Sequence, residues 1–293
     1  MIECVANVSE GASRELIARL ASAVSHSGCR LLDVHSDVDH NRSVFTFVGR
    51  AAILEKGAVA LAAAAVDLLD LAVHRGVHPR SGVIDVVPFV PLANATMDEC
   101  VHLARRVGRT IGERLALPVY LYGAAAARPE RTSLADVRRG PLKQLGERMR
   151  TPEGKPDFGP DEPHPTAGAV AVGARELLVA YNVVLDSGDV SVARAVAASV
   201  RESGGGLKGV RALGFLLPSR HLVQVSMNLT DVYATSVRTA FEFVEREAAQ
   251  RGISVCESEI VGLAPQVALD GCRGTDIQFP GDLDSVRLER RIR

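Results

Sequence analysis

One order of elements can be read twice along this chain, on either side of a proline-rich stretch. Ile2 to Val8 alternates loosely as a strand, and residues 13–26 place Leu16, Ile17, Leu20, Ala21 and Val24 on a helical stripe ending near Gly28. Cys29 to Val34 and Ser43 to Val48 read as strands around the polar turn 36–41. Ala51 to Ala72 is an Ala/Leu-rich helix, and Val83 to Val90 closes the set as a strand. Further on, Leu177 to Leu185, Val210 to Leu217, Leu222 to Leu229 and Ile253 to Ile260 read as strands, with helices over Val190 to Val200 and Ser236 to Gln250. Each half spells strand–helix–strand–strand–helix–strand, the split βαβ order of ferredoxin-like modules. The expected fold is therefore α/β (α+β), with two βαββαβ subdomains, each a mixed or antiparallel sheet with helices on one face. The expected division is 1–168 and 169–293, with Ala169 to Val172 opening the second half as a strand.

Between the repeats lie a helix opened by the capping-box pattern Thr96-Met97-Asp98-Glu99, a strand over Pro118 to Tyr122, and an Arg-rich region, 124–150, of short helices. Residues 151–168 hold five prolines and three glycines, a composition suited to a functional loop or a domain junction. The polar tail from Gly271 to Arg293 is either an edge wrap or disordered.

Composition narrows the function classes. The 293 residues are 47% hydrophobic and 24% charged, which is globular composition with room for a sizeable core. A net charge of −1 gives no basic field for nucleic acid. No signal peptide is evident at Met1-Ile2-Glu3-Cys4, and the longest uncharged apolar run, Gly57 to Val66, is too short to span a bilayer. The five cysteines are scattered with no Cys-x-x-Cys pair, which argues against a disulfide framework or a thiolate zinc site. A cytoplasmic protein with reduced thiols and no membrane or nucleic-acid partner is expected. A homodimer is one assembly state the sequence allows.

The segment His74-Arg75-Gly76-Val77-His78-Pro79-Arg80-Ser81-Gly82 concentrates reactive chemistry. Histidine titrates nearest neutrality and can move a proton in a transition state. Arginine forks bind carboxylates in fixed orientation. Together they read as an active-site loop for an anionic substrate, against the plainer reading of a solvated connector. The cluster His35, Asp37, Asp39 and His40 admits a metal reading or a polar turn; the turn is preferred, and no metal is expected. Gly204-Gly205-Gly206 lacks the ending of a phosphate-binding loop and reads as a connector.

Six segments, taken in order, resemble the glutamate formiminotransferase (formimidoyltransferase) family, the tetrahydrofolate-dependent enzymes of histidine degradation. They are Glu3 to Gly11, Asn41 to Gly49, His74 to Phe89, Pro118 to Gly123, Pro156-Asp157-Phe158-Gly159-Pro160, and Val261 to Pro265. The resemblance covers the chain to about residue 270. It implies two α/β subdomains with a ligand cleft between them, and the transferase portion without a cyclodeaminase domain.

The resemblance also implies an activity, the transfer of a formimino (or formyl) group between N-formimino-L-glutamate and tetrahydrofolate, the latter as co-substrate. The catalytic histidine of the family's His-Pro-Arg motif falls on His78. Arg42, Arg75 and Arg80 are candidates for the substrate carboxylates, and Asp85 or Asp33 for orienting the imidazole. The folate-contacting segment falls on Gly159, Pro160, Asp161, Glu162, Pro163, His164, Pro165, Thr166, Ala167 and Gly168. The family often has an acidic residue where His35 and Val77 stand, and three further positions depart from its pattern: Ala6 and Val8 replace Pro and Phe, and Ala167 replaces a Trp that would offer a pterin ring a flat surface. These departures lend modest support to an alternative, a ligand-binding homologue with lost or altered transferase activity.

Overall fold

The computed structural model describes residues 1–140 and 142–292, in two compact units, Met1–Glu176 and Leu177–Arg293. In the first unit, β1 (Ile2–Val8), α1 (Arg14–His26), β2 (Arg30–Asp37), β3 (Arg42–Gly49), α2 (Ala51–Leu68) and β4 (Ile84–Pro91) follow the expected order. Three further elements are α3 (Met97–Leu115), β5 (Val119–Gly123) and β6 (Val170–Ala174), with the short helices α4 (Leu134–Val137) and α5 (Leu145–Met149) between β5 and β6. The six strands lie in the order β2-β3-β1-β4-β6-β5. Pairing is antiparallel from β2 through β4 and parallel where β6 sits between β4 and β5.

The strand expected to open the second half thus belongs to the first sheet. Every residue of β6 is buried, as a parallel strand between two neighbours requires. Its Val-Ala-Val-Gly-Ala run carries no mark of which sheet it joins, so chain proximity to the second repeat misled the reading.

The second unit contains β7 (Val179–Leu185), α6 (Val190–Val200), β8 (Val210–Leu217), β9 (Leu222–Leu229), α7 (Val237–Ala249) and β10 (Val255–Val261). Its antiparallel order β10-β7-β9-β8 reproduces the β4-β1-β3-β2 arrangement of the first unit. Both halves are ferredoxin-like, as their spelling predicts. The helix starts follow from their caps: Ser13, Asp189 and Ser236 each accept an orphan backbone N–H, and Thr96 with Glu99 forms a capping box.

Each unit has its own core. In the first, Cys4, Ala6 and Val8 of β1 and Phe45 and Phe47 of β3 pack with Leu54, Leu61, Leu103 and Ile111 from the helices. The opposite face of this sheet is also covered, since Val86, Tyr120, Tyr122 and Ala171 pack with Val137, Leu145 and Met149 of α4 and α5. In the second unit, Tyr181, Val183, Val225 and Met227 pack against Val196, Phe241 and Val244. The tail is ordered along β10, where Ser258 donates its backbone N–H to the Gln278 carbonyl at 3.0 Å and Ile277 and Leu283 are buried. Of the two expectations for this segment, the edge wrap holds.

Candidate active site

Three segments of the first unit converge: the exit of β1 (Ser9-Glu10-Gly11), the β2–β3 turn (Val38–Asn41), and the loop from Leu69 to Gly82. Helix α2 stops at Leu68, four residues short of its expected end, because Leu69 turns extended and the Leu71 N–H bonds the Thr166 carbonyl at 2.7 Å. Burial of Leu69 and Leu71 anchors this exit.

Asn41 is the hub of the convergence. Its backbone is left-handed, at φ 45°, a conformation that asparagine tolerates better than most residues. Its side-chain carbonyl accepts from Gly11 N at 2.9 Å, its amide donates to the Arg75 carbonyl at 2.8 Å, and its backbone carbonyl accepts from His74 Nε2 at 2.8 Å. One residue therefore ties three segments. The approach is close enough that a Cβ on Gly76 would lie 2.4 Å from the His40 carbonyl oxygen.

The loop is then fixed internally. Arg80 donates to the carbonyls of Gly76 (3.0 Å), His78 (3.2 Å) and His74 (3.2 Å), so its guanidinium spans the loop from inside. The exposed Arg75 folds back on the carbonyls of Ala72 and His74. Buried Asp85, at the start of β4, accepts from Ser81 N at 2.7 Å and forms an ion pair with Arg138 at the end of α4. Asp85 therefore organises the loop's exit and Arg138; its contacts are not with the imidazole it was expected to orient. Asp33 sits in β2 opposite Thr46.

His78 lies at the centre of this frame. Arg42 Nη1 approaches its Nε2 at 2.7 Å, and the His40 ring stands 5.8 Å away, centroid to centroid. Guanidinium can only donate, so Nε2 accepts and the ring is neutral. With its lone pair on Nε2, the neutral ring carries its proton on Nδ1. The residue keeps some open surface, yet its ring is enclosed enough that burial lowers its pKa well below 6.5, with Arg42, Arg138 and His40 adding to the effect. The His74 ring is lowered too, mainly by burial.

The proline-rich segment adjoins this loop. Val83 N bonds the Ala167 carbonyl at 3.0 Å and Ala169 N bonds the Ser81 carbonyl at 2.9 Å. His164 and Gly168 exchange both backbone hydrogen bonds, and His164 Nδ1 accepts from Ala167 N at 3.0 Å, closing a tight turn. A Cβ on Gly82 would lie 2.2 Å from the Ala169 carbonyl oxygen. Gly159, Asp161, Glu162 and Pro165 are exposed, while Pro160, Pro163, His164 and Thr166 are half-buried. Ala167 and Gly168 are buried, and Ala167 joins the main core, so its side chain offers no ligand surface; this corrects the reading of position 167 as a missing pterin platform. The segment's other end is held by Asp157, which accepts from Leu121 N at 2.7 Å and Arg131 at 2.8 Å.

The turn 35–40 is built by Asp37, whose carboxylate accepts from His40 N at 2.6 Å. Among the described residues, no group of three His, Cys, Asp or Glu side chains is arranged to hold a metal ion. Nor is any described helix long and apolar enough to cross a membrane. Sequence reasoning missed Asn41 as the hub and Arg138 as the partner of Asp85. The only prior signal for either was Asn41's place in a family-like segment.

Residues 1–175 match the formiminotransferase domain, N-terminal subdomain, and residues 180–273 match the formiminotransferase domain. A glutamate formimidoyltransferase of Thermoplasma acidophilum is 42% identical over all of this chain and 97% of its own length. One from Streptococcus pyogenes serotype M1 is 43% identical over 92% of the chain and 90% of its length. The formimidoyltransferase-cyclodeaminase of Sus scrofa is 44% identical over 92% of the chain, which spans about half (51%) of that longer protein. With both of its units matched and these identities over nearly its whole length, the chain belongs to the formiminotransferase family.

Proposed function

We propose that this chain is a glutamate formimidoyltransferase, moving the formimino group of N-formimino-L-glutamate to a nitrogen of tetrahydrofolate. The observation that carries this reading is a neutral imidazole, His78, locked in one tautomer beside Arg42 in a loop ordered by three segments. The attacking amine forms a bond to the amidine carbon and becomes a substituted ammonium within a tetrahedral adduct. His78 Nε2 takes the ammonium proton, then delivers it to the glutamate nitrogen as the carbon–nitrogen bond to glutamate breaks. The electron pair of the remaining amino group re-forms the amidinium, and glutamate leaves as the free amine. Charge and atoms balance, and no oxidant is needed.

A depressed pKa suits this task. The adduct's ammonium is acidic enough for a weak base, and an imidazolium crowded by Arg42 and Arg138 passes the proton on readily. Arg42 is the proposed carboxylate partner of the substrate. Arg80, occupied by three loop carbonyls, is assigned to shaping the loop, and exposed Arg75 to outer electrostatic attraction. For folate, the exposed carboxylate of Glu162, and that of Asp161 in exchange for its ion pair with Lys155, suit the amino and ring N–H groups of a reduced pterin, with Ala167 and Gly168 shaping the neighbouring turn from within. Ala6, Val8 and Ala167 are all fully buried, so the departures there are packing changes and no longer favour a binding-only homologue. A spectrophotometric assay with formiminoglutamate and tetrahydrofolate, run beside formylglutamate, tests the reading. Turnover of the formimino donor is expected, and tight binding of both ligands without turnover would replace the proposal with the binding-only one.

A further inference from the structure

The bond between Arg42 and His78 occupies the lone pair that the proposed mechanism needs. His78 has one basic nitrogen, Nε2, and Arg42 Nη1 donates to it at 2.7 Å. In that tautomer its other nitrogen carries the proton, so the ring offers no second lone pair. Arg80 cannot take Arg42's place, because it spans the carbonyls of Gly76, His78 and His74. Arg138 is engaged with Asp85. A neutral imidazole is also a weaker partner for guanidinium than a carboxylate, which accepts two parallel charge-assisted bonds.

We infer that Arg42 acts as a carboxylate-operated cover on His78. In the free protein it masks Nε2; a substrate carboxylate draws the guanidinium away and uncovers the base. Recognition of the acidic donor and liberation of the proton acceptor thus become one event, making Arg42 a specificity-determining residue in turnover as well as in affinity. The inference deepens the transferase reading and rests on it for its kinetic consequence. The pairing itself is a property of the free protein.

Two measurements test it. The first is nitrogen NMR of the histidine rings in the full chain, titrated with L-glutamate against sodium chloride at equal ionic strength. Glutamate is expected to shift the His78 Nε2 signal in the wild type. In R42A the signal should start at the released position and not respond. An Nε2 signal unmoved by glutamate in the wild type overturns the proposal, whether or not glutamate binds elsewhere.

The second compares transfer from formiminoglutamate with transfer from N-methylformamidine, a donor lacking both carboxylates. R42A is expected to narrow the kcat preference for the acidic donor by about tenfold to a hundredfold, the scale of one charge-assisted hydrogen bond. Equal losses of kcat on both donors would instead make Arg42 a structural support and defeat the cover. R42K, which keeps the charge without the fork, should retain most of the preference for the acidic donor. If the wild type transfers to tetrahydrofolate from neither donor, the transferase reading fails, while the NMR result still decides the role of Arg42.

Discussion

The backbone carbonyl of Asn41 accepts the Nε2 proton of His74 at 2.8 Å, across a gap of 33 residues. This bond joins the β2–β3 turn to the loop carrying His78 and settles the tautomer of a second buried imidazole. Because a backbone atom makes it, it survives side-chain substitution at position 41 only if the left-handed turn survives.

Asn41→Ala is expected to remove the bonds to Gly11 and Arg75 and to strain a backbone at φ 45°. Two hydrogen bonds and a disfavoured conformation together predict a loss of about 2–4 kcal/mol. Asn41→Gly, which relieves the strain alone, should recover part of it. Urea denaturation of the two variants checks the order; equal stabilities would remove the backbone contribution.

His78→Ala is expected to leave a folded protein whose formimino transfer falls by about 10²–10⁴-fold, the usual scale for a positioned acid–base group. Circular dichroism and the transfer assay on one preparation make the test. Turnover close to wild type would take His78 out of the mechanism.

Acid should destabilise this site. Both His74 and His78 are held below the ordinary imidazole value of 6.5, mainly by burial. Below that value the unfolded chain takes up protons that the folded loop resists. Stability is therefore full above about pH 6.5 and declines as pH falls through and below it. Chemical denaturation at pH 7.5 and 5.5 should show the drop, and His74→Asn should lessen it. A flat profile between these pH values would contradict the burial of both rings.

Ala167→Trp separates the sequence reading of position 167 from the structural one. A pterin platform would tighten folate binding. The buried side chain predicts overpacking instead, with a loss of at least about 1–3 kcal/mol and no gain in affinity. Thermal unfolding and calorimetric titration with tetrahydrofolate distinguish the two outcomes.

The repeat was legible because each βαββαβ half declares itself through local signals. Capping residues start α1, α3, α6 and α7, and apolar stripes run along their buried faces. The placement of β6 was not legible, since a short apolar run pairs equally well with any open strand edge until the three-dimensional order is known. At the candidate site, His78 and its three arginines stood out by chemistry, but their division of labour did not. Arg42 meets the imidazole, Arg80 spans the loop, and Arg75 lies outside, yet all three read alike as guanidinium. Asn41 was invisible for a different reason: its work is done by a turn conformation and by bonds reaching 30 and 34 residues away. Position 167 misled because the identity of a missing aromatic says nothing about which way the backbone points it.

The strap of tail along β10 has a consequence for the molecule's behaviour in concentrated solution. β10 is a terminal strand of its sheet, and such borders recruit foreign strands when left bare. Here Ser258 gives both its backbone N–H and its hydroxyl to the chain at Gln278 and Ile277, and Ile277 and Leu283 join the buried core of the unit. The protein thereby covers part of one border of its second sheet against intermolecular β-pairing, and cleavage within this strap would bare both that border and the apolar surface that Ile277 and Leu283 cover.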